Sequence, residues 1–458
     1  MVVAIILDFA NKVQNLEREG LFVHCRYLVS ALLRRYPDFK VEFWTFSFNR
    51  CEVAKAFAEP LSEFPGRASL FDETVCGKNE GLKVYHVPLR RMIKGRVHGL
   101  LYFLFRKEHN FISAKRNLTE RFLPAIPRFE RALSRAFRAN STATIIYLPG
   151  AIFGLAKRMK LPKVIAVHDL FTLTHRELFS GESGRINEHN RIITGNLNSY
   201  SRQGGIFVSS TSYIAEQHVL KFVEGVKREQ CEVIPFPPMI KRLTEKENRG
   251  NPQERGAALG LPHEYIFYPS QIRPNKNFKL LVQAVDCLRS ENELNLPIVT
   301  TGRVHDSPWV NSYLREREPG ELVVEVGPLA DDELFWCYRN AAMVVVPTII
   351  EGMGISGQCL EALCVGGVPV VHARSDGIVE SLASVGLSME EADLNWFKYD
   401  DYRDCARQIL DAYMHREATI RKQAGIIAKY MILSWDNVAE KYYSLFLRLG
   451  VGSGKVGE

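Results

Sequence analysis

The chain has 458 residues, 46% of them hydrophobic and 24% charged, with a formal net charge of +7. That is an ordinary globular composition, long enough for two or three domains, and it excludes a disordered or fibrous chain. No run reaches the roughly 18 uninterrupted apolar residues a membrane-spanning helix needs, and nine cysteines scattered without a Cys-x-x-Cys pair argue for reduced thiols, a cytoplasmic address and no zinc site.

The first residues, MVVAIIL, read as a buried strand: no basic leader or small-residue cleavage site accompanies them, and Asp8 ends the apolar run. VEFWTF at 41–46 is the second strand. Between Arg90 and Arg138 stand thirteen basic residues against three acidic ones, a net +10 that exceeds the excess of the whole chain. GLLYFLFR (99–106), Phe111, Phe122 and Phe129 are interleaved with this charge. A basic, aromatic-rich surface of this kind suits an anionic membrane face, where each nearby cation contributes about 1 kcal/mol. A solvated basic face over a core helix is the equal alternative, and nucleic acid ranks last because no recognition motif accompanies the charge.

Strand-type runs then recur with helical stretches between them: ATIIYL (143–148), KVIAVH (163–168), GGIFVSS (204–210) and CEVIPF (231–236). Strand–helix–strand spacing predicts a parallel sheet covered on both faces. The stretch from Pro235 to Pro262, rich in Pro, Gly and charge, breaks the pattern as an inter-domain connection. Alternation resumes with EYIFYPS (264–270), LPIVTTG (296–302), LVVEVG (322–327), AMVVVPT (342–348) and GVPVVHA (367–373), a second sheet of the same kind. Ser434 is a candidate N-cap for a last helix carrying Trp435, Val438, Ala439, Tyr442, Tyr443, Phe446 and Leu447 as its apolar stripe. The expected organisation is an N-terminal domain over 1–238, a linker over 239–260, a C-terminal domain over 261–432, a helix over 433–449 and a disordered tail over 450–458.

Two doubly wound α/β domains enclose a cleft, and such sheets bind ligands beyond the carboxyl ends of their strands. Three loops qualify. In PTIIEGMGISGQCLEALCVGG (347–367) a glycine loop opens a helix, so free N–H groups there attract a diphosphate. Glu361, within that helix, can reach a ribose diol, while Glu351 faces the cleft from the strand end. A glycine turn with solvated acids is the plain alternative. In YPSQIRPNKNFKLL (268–281), Gln271, Arg273, Asn275 and Lys276 follow a strand, and their cations can neutralise a departing diphosphate or simply be solvated. In KVIAVHDLF (163–171), His168 and Asp169 end a strand of the first domain; a hydrogen-bonded core histidine is the alternative. No Asp-x-Asp, no Gly-x-Gly-x-x-Gly after the first strand and no Gly-x-Ser-x-Gly occurs, which weakens kinase, dehydrogenase and hydrolase readings.

In this order the segments VHDLFTLTH, YPSQIRPNKN, GPLADDELFWCYRNAAMVVVPT running into EGMGISGQCLEALCVGGVPVV, and SWDNVAEKYY resemble a retaining glycosyltransferase of the GT-B fold, family four, of the O-antigen and exopolysaccharide type. The resemblance runs from about Lys163 to the end and is weaker before it. It implies two Rossmann-like domains, a sugar nucleotide on the C-terminal domain, a saccharide or lipid-linked saccharide acceptor on the N-terminal one, and a last helix crossing back. No metal and no other cofactor is expected. Glu351 then sits near the donor sugar, Glu361 on the ribose, Lys276 on the diphosphate and His168 at the donor sugar, with Gly20 in the acceptor-side loop. Gln271, Arg273, Gly352, Met353, Gly354, Ile355 and Ser356 line the donor, and loop backbone at Gly302, Arg303, Pro328 and Leu329 selects the base. GDP-mannose is the expected donor, and a lipid-carried acceptor places the chain at the inner face of the membrane. The departures are nine residues between the two acids where the family has about seven, Ser356–Gly357–Gln358 in place of a proline, and Gln271 where arginine is common.

Overall fold

The structure, a computed structural model, describes residues 1–7, 20–45, 68–70, 85–86, 131, 134–135, 137–139, 141–150, 154, 156–178, 183–237, 259–306, 308–315, 322–352, 355–375, 377–383, 385–430 and 433–453. The basic stretch therefore lies outside the described residues from Arg90 to Glu130, as does the linker over 238–258. No helix among the described residues is long and apolar enough to cross a membrane.

The first domain is built on β1 (Val2–Leu7), β2 (Lys40–Thr45), β3 (Ala68–Leu70), β4 (Tyr85–His86), β5 (Ile145–Leu148), β6 (Lys163–Ala166), β7 (Ile206–Ser209) and β8 (Cys231–Val233). They pair in the order β3-β2-β1-β5-β6-β7-β8, with β4 also on β2, and every pairing is parallel. A parallel sheet must be covered on both faces, and the side-chain alternation of β1 shows it. Val3, Ile5 and Leu7 enter one core, Ala4 and Ile6 the other.

The second domain repeats the plan on β9 (Ile266–Tyr268), β10 (Ile298–Thr300), β11 (Val323–Glu325), β12 (Met343–Val346) and β13 (Val370–His372), all parallel, in the order β11-β10-β9-β12-β13. Met343 and Val345 of β12 face one core, Val344 and Val346 the other. Among the described residues, the helices of the first domain include α1 (Gly20–Arg35), α2 (Phe171–Thr174) and α3 (Ser183–Ser201). Those of the second are α4 (Phe278–Ser290), α5 (Pro308–Arg315), α6 (Asp331–Asn340), α7 (Gly357–Val365), α8 (Ile378–Ala383), α9 (Tyr402–Met414) and α10 (Arg416–Tyr430). Leu259, inside the stretch predicted as linker, already packs on the second domain's core.

The last helix, α11 (Trp435–Ser453), returns to the first domain. Ser434 caps it, its Oγ accepting the Asn437 N–H at 3.2 Å. Val438, Ala439, Tyr442, Leu445 and Phe446 complete the core that α1 and β1 begin. The Tyr36 and Tyr443 rings stack with centroids 3.6 Å apart, and Arg35 pairs with Glu440 at 3.0 Å. Residues 450–453, predicted as disordered tail, continue the helix instead. Leu449 packs on the same core and Gly450 passes over Ile145, so this turn still has apolar surface beneath it. A double-mutant cycle of Tyr36→Ala and Tyr443→Ala is expected to give a coupling of about 1 kcal/mol in denaturant unfolding. Strict additivity would mean the stack contributes nothing of its own.

Candidate functional site

The strand order of the second sheet reverses between β9 and β12, which places the loops after these two strands at the topological switch point. The loop after β9 turns through a short 3₁₀ segment, Pro274–Lys276, and the chain after β12 locks it there. The Ile349 N–H donates to the Asn275 carbonyl at 2.9 Å and Thr348 Oγ1 to the same oxygen at 3.2 Å. From below, the Tyr268 hydroxyl donates to the Lys276 carbonyl at 3.4 Å and to that of Gln271 at 3.5 Å. Lys276 Nζ consequently meets Glu351 Oε1 in an ion pair whose side chains are only 18% and 14% exposed. Gln271 and Arg273 lie exposed on the same loop. The charge of Arg273 reaches the Asp169 carboxyl across the cleft.

After Glu351 the chain passes Gly352, then Met353 and Gly354, which lie outside the described residues, and opens α7. Ser356 is its N-cap, accepting the Cys359 N–H at 3.1 Å, and Gly366 and Gly367, at φ 69° and 71°, end it. Two expected diphosphate contacts are otherwise occupied. The Ile355 N–H donates to Ser381 Oγ at 3.4 Å, and the Ser356 hydroxyl, fully buried, serves the cap. The helix N-terminus itself remains as the anion-attracting element. Glu361 accepts the hydroxyl of buried Tyr338 at 2.5 Å, which fixes one oxygen of the carboxylate. Gly302 approaches the Ser270 carbonyl too closely for any side chain; Arg303 and Pro328 are exposed, and the Leu329 side chain turns into the core.

Across the cleft, His168 stands two residues after β6, and its Nε2–H donates to the Pro149 carbonyl at 3.1 Å. Pro149 follows β5, the strand beside β6, so adjacent strand ends fix the tautomer and leave Nδ1 an acceptor. Burial pushes the His168 pKa down to about 4, against the Pro149 hydrogen bond, and the ring is neutral at pH 7. Burial also raises the Asp169 carboxyl to about 6, with the Phe171 N–H and nearby Lys276 and Arg273 opposing and Glu351 assisting. Gly352 packs directly on the His168 carbonyl: a Cβ there would overlap the oxygen and stand 2.9 Å from the carbonyl carbon. Lys276, Glu351 and His168 are thus drawn to one place. Gly20 begins α1, close in sequence to His24 of the same helix.

Three histidines that sequence reasoning passed over buttress these loops. His24 lies edge-on to His168 at 5.3 Å, between Phe236 and Trp435, with both ring nitrogens buried and unpaired. His218 accepts the Leu170 N–H at 2.7 Å, and His372, at the end of β13, has Nδ1 2.7 Å from the Ala373 carbonyl. None sits in a motif, so only the fold reveals them.

Together with His168 they are expected to make the fold acid-sensitive. Burial lowers His24 well below 6.5 and His168, His218 and His372 to about 4. Between pH 6.5 and 4 the unfolded chain binds protons on these groups that the folded chain refuses, so stability falls as pH falls through that window. Asp169 acts oppositely, since its folded pKa of about 6 lies above the ordinary 3.8, and it offsets one of the four. The melting temperature should drop steadily from pH 7 to pH 4.5; a flat profile would contradict the burial of neutral imidazoles.

Comparison with known proteins fits this geometry. Residues 263–413 match the family described as Glycosyl transferases group 1. The serotype-specific mannosyltransferase WbdA of Escherichia coli is 26% identical over 327 residues, covering 68% of this chain and 36% of the relative, so the chain spans about a third of that protein's length. Sucrose-phosphate synthase from Thermosynechococcus elongatus superposes with a TM-score of 0.63 at 15% identity, over 98% of this chain and 99% of the other. Anabaena Alr3699/HepE in complex with UDP-glucose gives a TM-score of 0.59 at 11% identity, over 98% and 100%. The fold is GT-B, as the sequence resemblance implied, and the second domain is the part that matches the glycosyl transferases group 1 family.

Proposed function

We propose that this chain is a glycosyltransferase that moves a hexose from a nucleotide diphosphate sugar to a saccharide or lipid-linked saccharide during cell-surface polysaccharide assembly. The observation that carries the reading is the Lys276–Glu351 ion pair at the switch point of the domain that matches glycosyl transferases group 1, with α7 opening a few residues after Glu351 and the His168 carbonyl packed on Gly352. Bond cleavage moves negative charge onto the diphosphate. Lys276, Arg273 and the helix N-terminus oppose that charge without a metal, each interaction strengthening as the leaving group ionises. Glu351 carries the complementary charge for the cationic sugar, and Glu361, oriented by the Tyr338 hydroxyl, is the carboxylate we assign to the ribose. Neutral His168, with Nε2–H committed to Pro149, offers an acceptor nitrogen to a sugar hydroxyl. We infer retention at the anomeric carbon, the acceptor hydroxyl attacking on the face the diphosphate leaves.

WbdA is named a mannosyltransferase, and GDP-mannose is the donor we propose. Thermal shift of the purified chain with GDP-, UDP- and dTDP-sugars tests the reading. A shift with GDP-mannose is expected, turnover of a UDP-sugar with GDP-mannose inert would replace the donor, and silence with all of them would favour a binding module that lacks activity. If the acceptor is lipid-carried, the segment 90–138 is the proposed contact with an anionic leaflet. Pelleting with anionic but not neutral liposomes, weakened by salt, is then expected; equal indifference to both would leave a solvated basic face.

A further inference from the structure

Between the domains lies a second group of contacts to which neither the sequence motifs nor the chemistry above assigns a role. β7 ends at Ser209, and the next residues, Ser210 to Tyr213, reach into the other domain. The Ser210 hydroxyl donates to the carbonyl of Gly352, the residue that follows Glu351. Three residues on, the Tyr213 N–H donates to Glu380 Oε2 of α8 at 2.5 Å, and the Tyr213 ring lies against Gly377. This loop is held firmly from its own side. Ser210 and Thr211 are 3% and 5% exposed, and Thr211 Oγ1 accepts the Ile214 N–H at 3.2 Å where a π-helical run begins.

We propose that Ser210 is a positioning residue for Glu351, supplied by the opposite domain. The Gly352 peptide is clasped on two sides, by the Ser210 hydroxyl and by the His168 carbonyl it packs on. A single hydrogen bond would leave the turn free to pivot; the Tyr213–Glu380 contact is a second fixed point and removes that freedom. Glu351 and His168 therefore hold one relative position only when the clasp is made. The inference rests on the sugar-transfer reading for its kinetic consequence, but the clasp itself does not.

Ser210→Ala and Ser210→Thr in the full-length chain test it, with Glu380→Ala added to Ser210→Ala as a double variant. Loss of one buried hydrogen bond across the cleft is expected to lower kcat about tenfold in Ser210→Ala. GDP affinity, measured by calorimetry, should stay within about twofold because the Lys276 loop keeps its own hydrogen bonds to Ile349 and Thr348, and Ser210→Thr, which keeps the hydroxyl, should restore most of the rate. Small-angle scattering gives a readout independent of turnover: the double variant should show a larger radius of gyration than the wild type. Wild-type kcat in Ser210→Ala, failure of Ser210→Thr to restore the rate, or an unchanged scattering profile in the double variant would each overturn the proposal. If the wild type transfers no sugar from any donor, the functional reading fails, and the scattering comparison still decides the clasp.

Discussion

Exchanging Glu351 for Gln is expected to lower turnover by about two to three orders of magnitude while the chain keeps its fold. The substitution is nearly isosteric and leaves an oxygen to accept from Lys276, so the loss would be one of charge alone. Both partners are mostly shielded from water, which makes that charge effective at short range and the ion pair more than a surface contact. Removing one side leaves the other uncompensated, at a cost of about 1–3 kcal/mol in stability. The two halves of the pair should nevertheless behave differently towards ligand. Freed from Glu351, Lys276 has more of its charge to offer a diphosphate, so Glu351→Gln should bind GDP at least as tightly as the wild type and turn over poorly. Lys276→Met should lose GDP affinity together with rate. Equal losses of affinity in both variants would mean that the pair acts as a structural tie and that Glu351 has no separate role at the sugar.

Placing a methyl group at position 352 should be nearly as damaging, for a different reason. Gly352 has an ordinary φ, so Gly352→Ala brings no backbone strain; the obstacle is the His168 carbonyl, which belongs to rigid backbone and cannot step aside. The turn must withdraw by roughly 1 Å, and a displacement of that size between reacting groups costs about 100-fold in rate. Gly425→Ala in α10, where an added methyl meets open space, is the matched control and should leave activity as it is. A Gly352→Ala enzyme with wild-type kcat would show that the contact between the domains is not the arrangement in which transfer occurs.

Much of this was legible beforehand because the signals were local. Uninterrupted β-branched runs such as AMVVVPT announce strands buried on both faces, and the glycine pair after Val365 announces a helix stop. Glu351, Lys276 and His168 each stand in the chain that follows such a run, and a parallel sheet has one place to put its strand ends. What escaped detection was whatever depends on the two domains together. Ser210 belongs to a strand tail that reads as unremarkable polar sequence, and its acceptor is 142 residues away. His24, His218 and His372 look like single histidines on apolar elements, and only packing reveals that they surround the site loops. The diphosphate loop was overread in the same way: no periodicity discloses that the Ile355 N–H faces Ser381 instead of the cleft, because Ser381 comes from a separate helix. Residues 450–453 look flexible in sequence, yet the helix continues through them, with Ile145 of β5 beneath Gly450.

The central claim is that the cleft between these domains transfers a sugar with Glu351 as a participant. Its most direct test is to incubate the purified chain with the proposed donor and a saccharide primer, to follow nucleotide release, and to read the anomeric proton of the product by NMR. The account predicts one nucleotide released per sugar incorporated, a product with the donor's anomeric configuration, and near-complete loss of both signals in Glu351→Gln. Release and incorporation undiminished in that variant, or absent from the wild type with every sugar nucleotide offered, would contradict it.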